Sequence, residues 1–174
     1  DHVEILGCDG DTAELVIPSR IAGLPVTVIR NTWFCLSETL TSVTIPDSVT
    51  LIESPTFFDC ENLTGVYVDP QNPSYSSDDR GVLFDKEKTV LIQVPDAITG
   101  SHVVPASTTK ISTLAFSDCY SLNAIHFKGD APEFGESAFL DVTATAYYPA
   151  DNITWNNDVM QDYAGSITWT AYNP

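Results

Sequence analysis

The sequence predicts a β-rich repeat solenoid, a right-handed superhelix of about six coils with short parallel strands along one side and turns or short 3₁₀ segments along the other. Three observations carry the prediction: a gap-free internal repeat, a short apolar alternation closed by proline, and a composition rich enough in apolar residues to build a core. In the repeat, Ile52, Phe57, Cys60, Leu63, Val66 and Val68 align on Ile111, Phe116, Cys119, Leu122, Ile125 and Phe127 at offsets 0, 5, 8, 11, 14 and 16. A third copy, 23 residues upstream of Ile52, supplies Ile29, Phe34, Ser37, Leu40, Val43 and Ile45 at the same offsets.

The strands come from the alternation. Leu15-Val16-Ile17-Pro18, Val43-Thr44-Ile45-Pro46, Ile92-Gln93-Val94-Pro95 and His102-Val103-Val104-Pro105 each read as a short strand with one buried face. Proline ends the pairing, because it has no N–H for a ladder and its φ is locked. Between the first strand and Ile29 five extra residues sit around Ala22-Gly23-Leu24-Pro25-Val26, a loop that closes at little entropic cost. A longer excursion occupies 69–90, where Asp-Pro, Asn-Pro and Ser-Ser-Asp-Asp turn signals lead through Gly81-Val82-Leu83-Phe84 to Lys88 and predict an exposed hairpin. Phe134, Phe139 and Val142 then repeat the first three offsets, but Thr145 stands where a leucine is expected, so the last coil reads as compressed.

A unit of this length cannot bury its own apolar face. Stacked units can, because identical offsets align as ladders of Ile, Phe, Leu and Val while the backbones pair between coils. Residues 1–148 are accordingly assigned to the solenoid and 149–174, with Trp155, Tyr163 and Trp169, to a C-terminal cap over the last open edge.

Composition removes several function classes. The 174 residues carry 7 Lys plus Arg against 24 Asp plus Glu, a net charge of −17, which repels nucleic acid and anionic lipid. No apolar run approaches the roughly 20 residues of a membrane span, so membrane insertion is not expected. The chain starts at Asp1 without a basic-then-apolar leader, as a mature or trimmed segment would. The four cysteines lack C-x-x-C spacing; repeat phase predicts Cys60 and Cys119 as buried thiols and leaves Cys8 and Cys35 open.

No catalytic apparatus is apparent, and the chain is read as a non-enzyme without cofactor or metal. His2 lies at the terminus, His102 falls in the buried phase of Val43 and Ile125, and His126 falls in the outward phase, with no G-x-S-x-G motif to accompany them. Asp69, Asp78, Asp79 and Asp85 cluster in the excursion without the ligand alternation of a calcium loop, and are expected as solvated carboxylates. Trp33, Trp155 and Trp169 are expected to pack, although Trp155, Trp169 or Tyr147 could also serve a glycan. Strand parity points to one other surface: the residue between the two buried positions of each strand faces outward, and stacking collects Val16, Thr44, Tyr67, Gln93, Val103 and His126 into one nearly uncharged row, the candidate binding face.

From Leu40 to Ile52, the step Leu-x-x-Val-x-Ile-Pro-x-x-Val-x-x-Ile, followed by Phe57, Cys60 and Leu63, resembles the BspA-type leucine-rich repeat, and the resemblance extends over about residues 13–148. Ser37, Trp33, Thr56, Glu53 and Ser112 depart from its pattern at turn positions. The resemblance implies a secreted or surface-exposed protein of host-associated bacteria that adheres to a protein partner such as host extracellular matrix. Two other functions remain open at this stage, a passive structural or targeting segment of a larger exported protein and a carbohydrate-binding module. The oligomeric state is unknown.

Overall fold

A computed structural model describes residues 1–7, 12–33 and 39–173, with side chains for all of these except 31–33. In chain order the strands are β1 (Val3–Gly7), β2 (Glu14–Val16), β3 (Arg20–Ile21), β4 (Leu24–Trp33), β5 (Ser42–Ile45), β6 (Leu51–Ile52), β7 (Gly65–Val68) and β8 (Tyr75–Ser77). They continue as β9 (Leu83–Asp85), β10 (Val90–Gln93), β11 (Gly100–Val104), β12 (Lys110–Ile111), β13 (Leu122–Phe127), β14 (Glu133–Phe134), β15 (Thr143–Pro149) and β16 (Ser166–Tyr172). Cys8, Phe34, Cys35, Ser37 and the Trp33 side chain lie outside the described residues.

The chain winds as a β-solenoid of about seven turns, one more than the periodicity suggested. Its long-strand face consists of two parallel sheets, β2-β5-β7 and β11-β13-β15-β16. A second ladder, in which β6, β12 and β14 are only two residues long while β4 has ten, carries the first offset of each repeat, with Ile29 opposite Ile52 and with Leu91, Ile111 and Phe134 in register. Turns make up the rest of each coil, and no helical segment occurs among the described residues. Arg30 adds a polar tie on the second ladder, donating to Glu4 and Glu53 from the neighbouring coils, and it holds the Glu4 carboxyl down at about 2.

The repeat anchors are inside. Ile29, Leu40, Val43, Ile45, Phe57, Cys60, Leu63, Val66, Ile111, Phe116, Cys119 and Ile125 are all buried, and both of these cysteines are thiols. Burial pushes the Cys119 thiol up, so it behaves as a small apolar group. Between the coils the bonds repeat as the side chains do: Phe116 N–H donates to Ala138 O at 2.9 Å, and Phe139 N–H donates to Tyr163 O at 3.1 Å.

The excursion is a hairpin, as its turn residues predict, but it is not exposed. Strands β8 and β9 pair antiparallel and join β10, and Val82, Leu83 and Phe84 are fully buried. Alternation explains the difference: Leu83 enters the core around Phe57 and Leu63, while Val82 and Phe84 enter the core around Phe116 and Phe127. The hairpin therefore closes the gap between two cores. Three of its four aspartates cap turns, Asp78 and Asp85 half-buried and Asp69 exposed, while Asp79 is exposed as expected. Asp78 Oδ1 accepts from Arg80 and Val82 N–H, Asp85 accepts from Thr89 and Val90 N–H, and Asp69 accepts from Gln71 N–H. Asn72, wholly buried, uses both ends of its amide, donating to Pro46 O and Val49 O and accepting from Ser74 and Tyr75 N–H.

Where the excursion replaces a regular turn, the preceding coil meets side chains in place of backbone carbonyls. Phe57 N–H, the counterpart of Phe116 N–H, donates to Gln93 Oε1 at 3.2 Å, and Cys60 N–H donates to Asp96 Oδ2 at 2.7 Å. Leaving such a buried donor unpaired costs about 1–3 kcal/mol. Gln93 and Asp96 are buried for that reason.

The last coils are shorter: Ala146 follows Phe134 by 12 residues, whereas Ile125 follows Ile111 by 14. Small Ala144 and Ala146 leave room for a cluster in which Trp155 lies 4.9 Å from Phe127 and Tyr163 stacks on Phe134 at 4.6 Å, ring centre to centre. The chain then returns as β16, paired with β15 from Thr143↔Ser166 to Pro149↔Tyr172. Asp59, Asp118 and Asp141, seven residues after each coil's first anchor, adopt φ of 56°, 61° and 59°, a left-handed turn that Asp tolerates. At exposed Asp141, Asp141→Ala is expected to cost about 1 kcal/mol in urea denaturation while Asp141→Gly costs nothing or stabilises. Equal losses in the two variants would show that the side chain, not the backbone, matters there.

Candidate protein-binding face

Five of the six residues on the proposed outward row are where parity puts them. Val16, Thr44 and Tyr67 are direct partners across β2, β5 and β7, and Val103 and His126 are partners across β11 and β13. Val16 is 68% exposed, Val103 49% and Tyr67 42%. Gln93 does not belong to the row. It ends β10 on the other ladder, is only 4% exposed, and spends its amide oxygen on Phe57 N–H. The apolar-x-apolar-Pro step around it is real, but it serves the second ladder.

In place of Gln93 the row is crossed by residues 78–82. Val66 N–H donates to Gly81 O at 2.9 Å, and the Arg80 guanidinium reaches the carbonyls of Thr99 at 2.6 Å and Ser101. Gly81 has φ of +72°, and a Cβ there would lie 2.4 Å from Gly65 Cα, so the loop can lie against β7 only as glycine. Gly65 in turn permits the Tyr67 ring to fold back over it, since a Cβ would meet that ring at 2.5 Å.

Two members of the row were missed. Tyr147 partners His126, and Thr170 partners Tyr147. The His126 and Tyr147 rings stack at 4.6 Å with only 8° between their planes. Parity extended from inward Ala144 and Ala146 would have found Tyr147; nothing local marks Thr170. Trp155 and Trp169 are committed to packing, with indole N–H groups that donate to Gly129 O and Gln161 O.

His102 is buried, as its phase predicts, edge-on to Phe116 with centres 6.4 Å apart. Its ring nitrogens have no hydrogen-bond partner, and burial lowers its pKa to about 4 despite Asp78 at 3.8 Å. It is therefore neutral near pH 7. Among the described residues no three His, Cys, Asp or Glu side chains group to hold a metal, and no helix is long and apolar enough to cross a membrane.

Below the row, at the ends of β2, β5 and β7, three coils form an open groove of about 540 Å³. Its lining includes Val16, Thr44 and Tyr67 from the row, Pro18, Pro46 and Pro70 just after the strands, and the exposed Asp47 and Asp69. Neither carboxylate is in an ion pair among the described residues, where Glu4 and Glu53 are the acids that meet arginine.

Residues 15–78 and 97–160 match the family model described as BspA type leucine rich repeat region, in six copies. The chain belongs to the BspA-type leucine-rich repeat family. The stretch that falls between the two matched segments is most of the buried hairpin and the Gln93–Asp96 plug, the part of this BspA-type chain that departs from the regular coil. Three solved structures share the fold. They are the pneumococcal vaccine antigen PcpA (TM-score 0.53, 22% identity, 81% of this chain and 42% of that one), a leucine-rich repeat protein from Eubacterium ventriosum (0.50, 15%, 98% and 55%) and a leucine rich cell surface protein from Faecalibacterium prausnitzii (0.51, 15%, 90% and 59%). This BspA-type chain thus spans about half the length of the structures it resembles. No curated protein matches the sequence significantly.

Proposed function

We propose that this BspA-type segment is a non-catalytic binding module of a secreted or cell-surface bacterial protein, and that a protein partner docks on the long-strand face. The observation that carries the reading is the outward row in its two stretches, Val16-Thr44-Tyr67 and Val103-His126-Tyr147-Thr170, each uncharged on a chain of net charge −17 and parted by the loop that carries Asp78, Asp79 and Arg80. Interface centres exclude charge and favour aromatic residues, and a rigid ladder presents these side chains with little ordering entropy left to lose. Descriptions of two of the similar structures as a vaccine antigen and a cell surface protein support an exported location. Host matrix proteins are the partner class to test first.

Surface plasmon resonance against a panel of matrix proteins tests the reading. Tyr67→Ala combined with His126→Ala is expected to weaken a binding partner by about tenfold or more. Undiminished binding by that variant would take the partner off this face.

A further inference from the structure

The groove beneath the row has a chemistry of its own. Its apolar surface comes from Val16, Tyr67 and the prolines, and the charged residues of its lining, Asp47 and Asp69, are both negative; the Lys86 ammonium, outside the lining, is held at 3.0 Å by Pro70 O. Its backbone donors are largely spent: prolines have none, Ile17 N–H is used by Thr44 O, Asp69 N–H by Ile45 O, and Val68 N–H by Ser77 Oγ, which leaves the Ser19, Thr44 and Tyr67 hydroxyls as neutral donors. The acceptors are not so consumed. Asp47 is exposed, and Asp69, also exposed, accepts from Gln71 N–H with one oxygen only. An anionic ligand would meet two repelling carboxylates, whereas a cation on an apolar stem would find both halves of its complement.

We propose that this groove binds an arginine or lysine side chain presented by an extended segment of a partner protein. The aliphatic stem lies along Val16 and the Tyr67 ring, and the charged head reaches Asp47 and Asp69. The assignment rests on the binding-module reading above and names the chemistry of one end of that face. A volume near 540 Å³ is too large for one side chain and fits a few residues of extended chain. The charge of −17 supplies long-range attraction for a basic segment, and the two carboxylates supply its register.

Fluorescence anisotropy with a labelled, end-blocked Val-Arg-Val-Arg-Gly peptide and its counterpart with Glu for Arg tests this directly. The Arg peptide is expected to bind with a dissociation constant below about 1 mM and more weakly as salt rises, and the Glu peptide is expected not to bind. Asp47→Asn with Asp69→Asn is expected to weaken the Arg peptide by about tenfold, whereas Asp151→Asn with Asp158→Asn, equal in charge change at the far end of the chain, is expected to leave it within about twofold. The Asp69→Asn change keeps an oxygen for the Gln71 turn, and Asp47→Asn alone, at an exposed site, serves as a second variant with a smaller loss. Equal weakening by the distant pair would reduce the effect to bulk charge and overturn the site, as would equal binding of the Glu peptide or no binding by the Arg peptide. Free arginine amide competing as well as the peptide would overturn the extended segment. If matrix proteins fail to bind while the Arg peptide succeeds, the face reading falls and the groove stands; the reverse result removes the groove alone.

Discussion

Phe116→Ala is expected to destabilise the protein by about 4 kcal/mol, the loss typical of a large aromatic removed from a core that cannot collapse around the hole. Phe116 is wholly buried and packs on Phe139 at 5.1 Å and on His102 at 6.4 Å. Its neighbours are held in place by inter-coil hydrogen bonds on both sides, Phe116 N–H to Ala138 O and Val94 N–H to Ala115 O, so the backbone has little freedom to close in. Because each coil is stable only against its neighbours, the damage should appear first as faster amide exchange in the coils around Phe116 and Phe139. Ile153→Ala, at a residue 93% exposed, is the control and should change stability by less than about 0.5 kcal/mol. A loss at Phe116 no larger than that control would mean that the ladder does not hold the fold together.

The second large effect is a pH dependence set by Asp96. Burial raises its pKa from 3.8 to about 7, with the neighbouring Asp118, Asp59 and Glu61 acting in the same direction and the Cys60 N–H opposing them. A carboxyl with a raised folded pKa holds its proton more tightly in the native state. Its contribution is fully favourable below about pH 4 and is lost as pH rises through about 7. The full change is on the order of 4 kcal/mol. Asp96→Asn keeps an oxygen for the Cys60 N–H and removes the ionisable group. That variant should therefore match the parent near pH 4 and exceed it in urea denaturation at pH 8. A difference that does not vary with pH would show that Asp96 is not the titrating group.

How much of this was legible beforehand differs from residue to residue. Ile52, Phe57, Cys60, Leu63, Val66 and Val68 could be assigned to the core because an identical spacing recurs at Ile111 to Phe127, and a repeat places equivalent side chains in equivalent environments. Period-2 alternation placed Val16, Thr44, Tyr67, Val103 and His126 on the outward row. The same alternation misled at Gln93. Its local pattern is that of a face strand, and only its place beside the interrupted coil of Phe57 turns it inward. Phe57 and Phe116 do occupy equivalent settings, yet they sit in different cores because the hairpin at Val82-Leu83-Phe84 comes between them.

The sequence by itself determined the stack, its anchors and the side from which its strands look out, because these follow from spacings short enough to be read within one or two coils. The tertiary structure alone decided what fills a break in the stack and where a groove forms. A buried N–H must find an acceptor wherever one happens to come near, and three coils must meet before Val16, Tyr67, Asp47 and Asp69 line one groove. Both are long-range consequences of stacking, and neither is written in any single repeat.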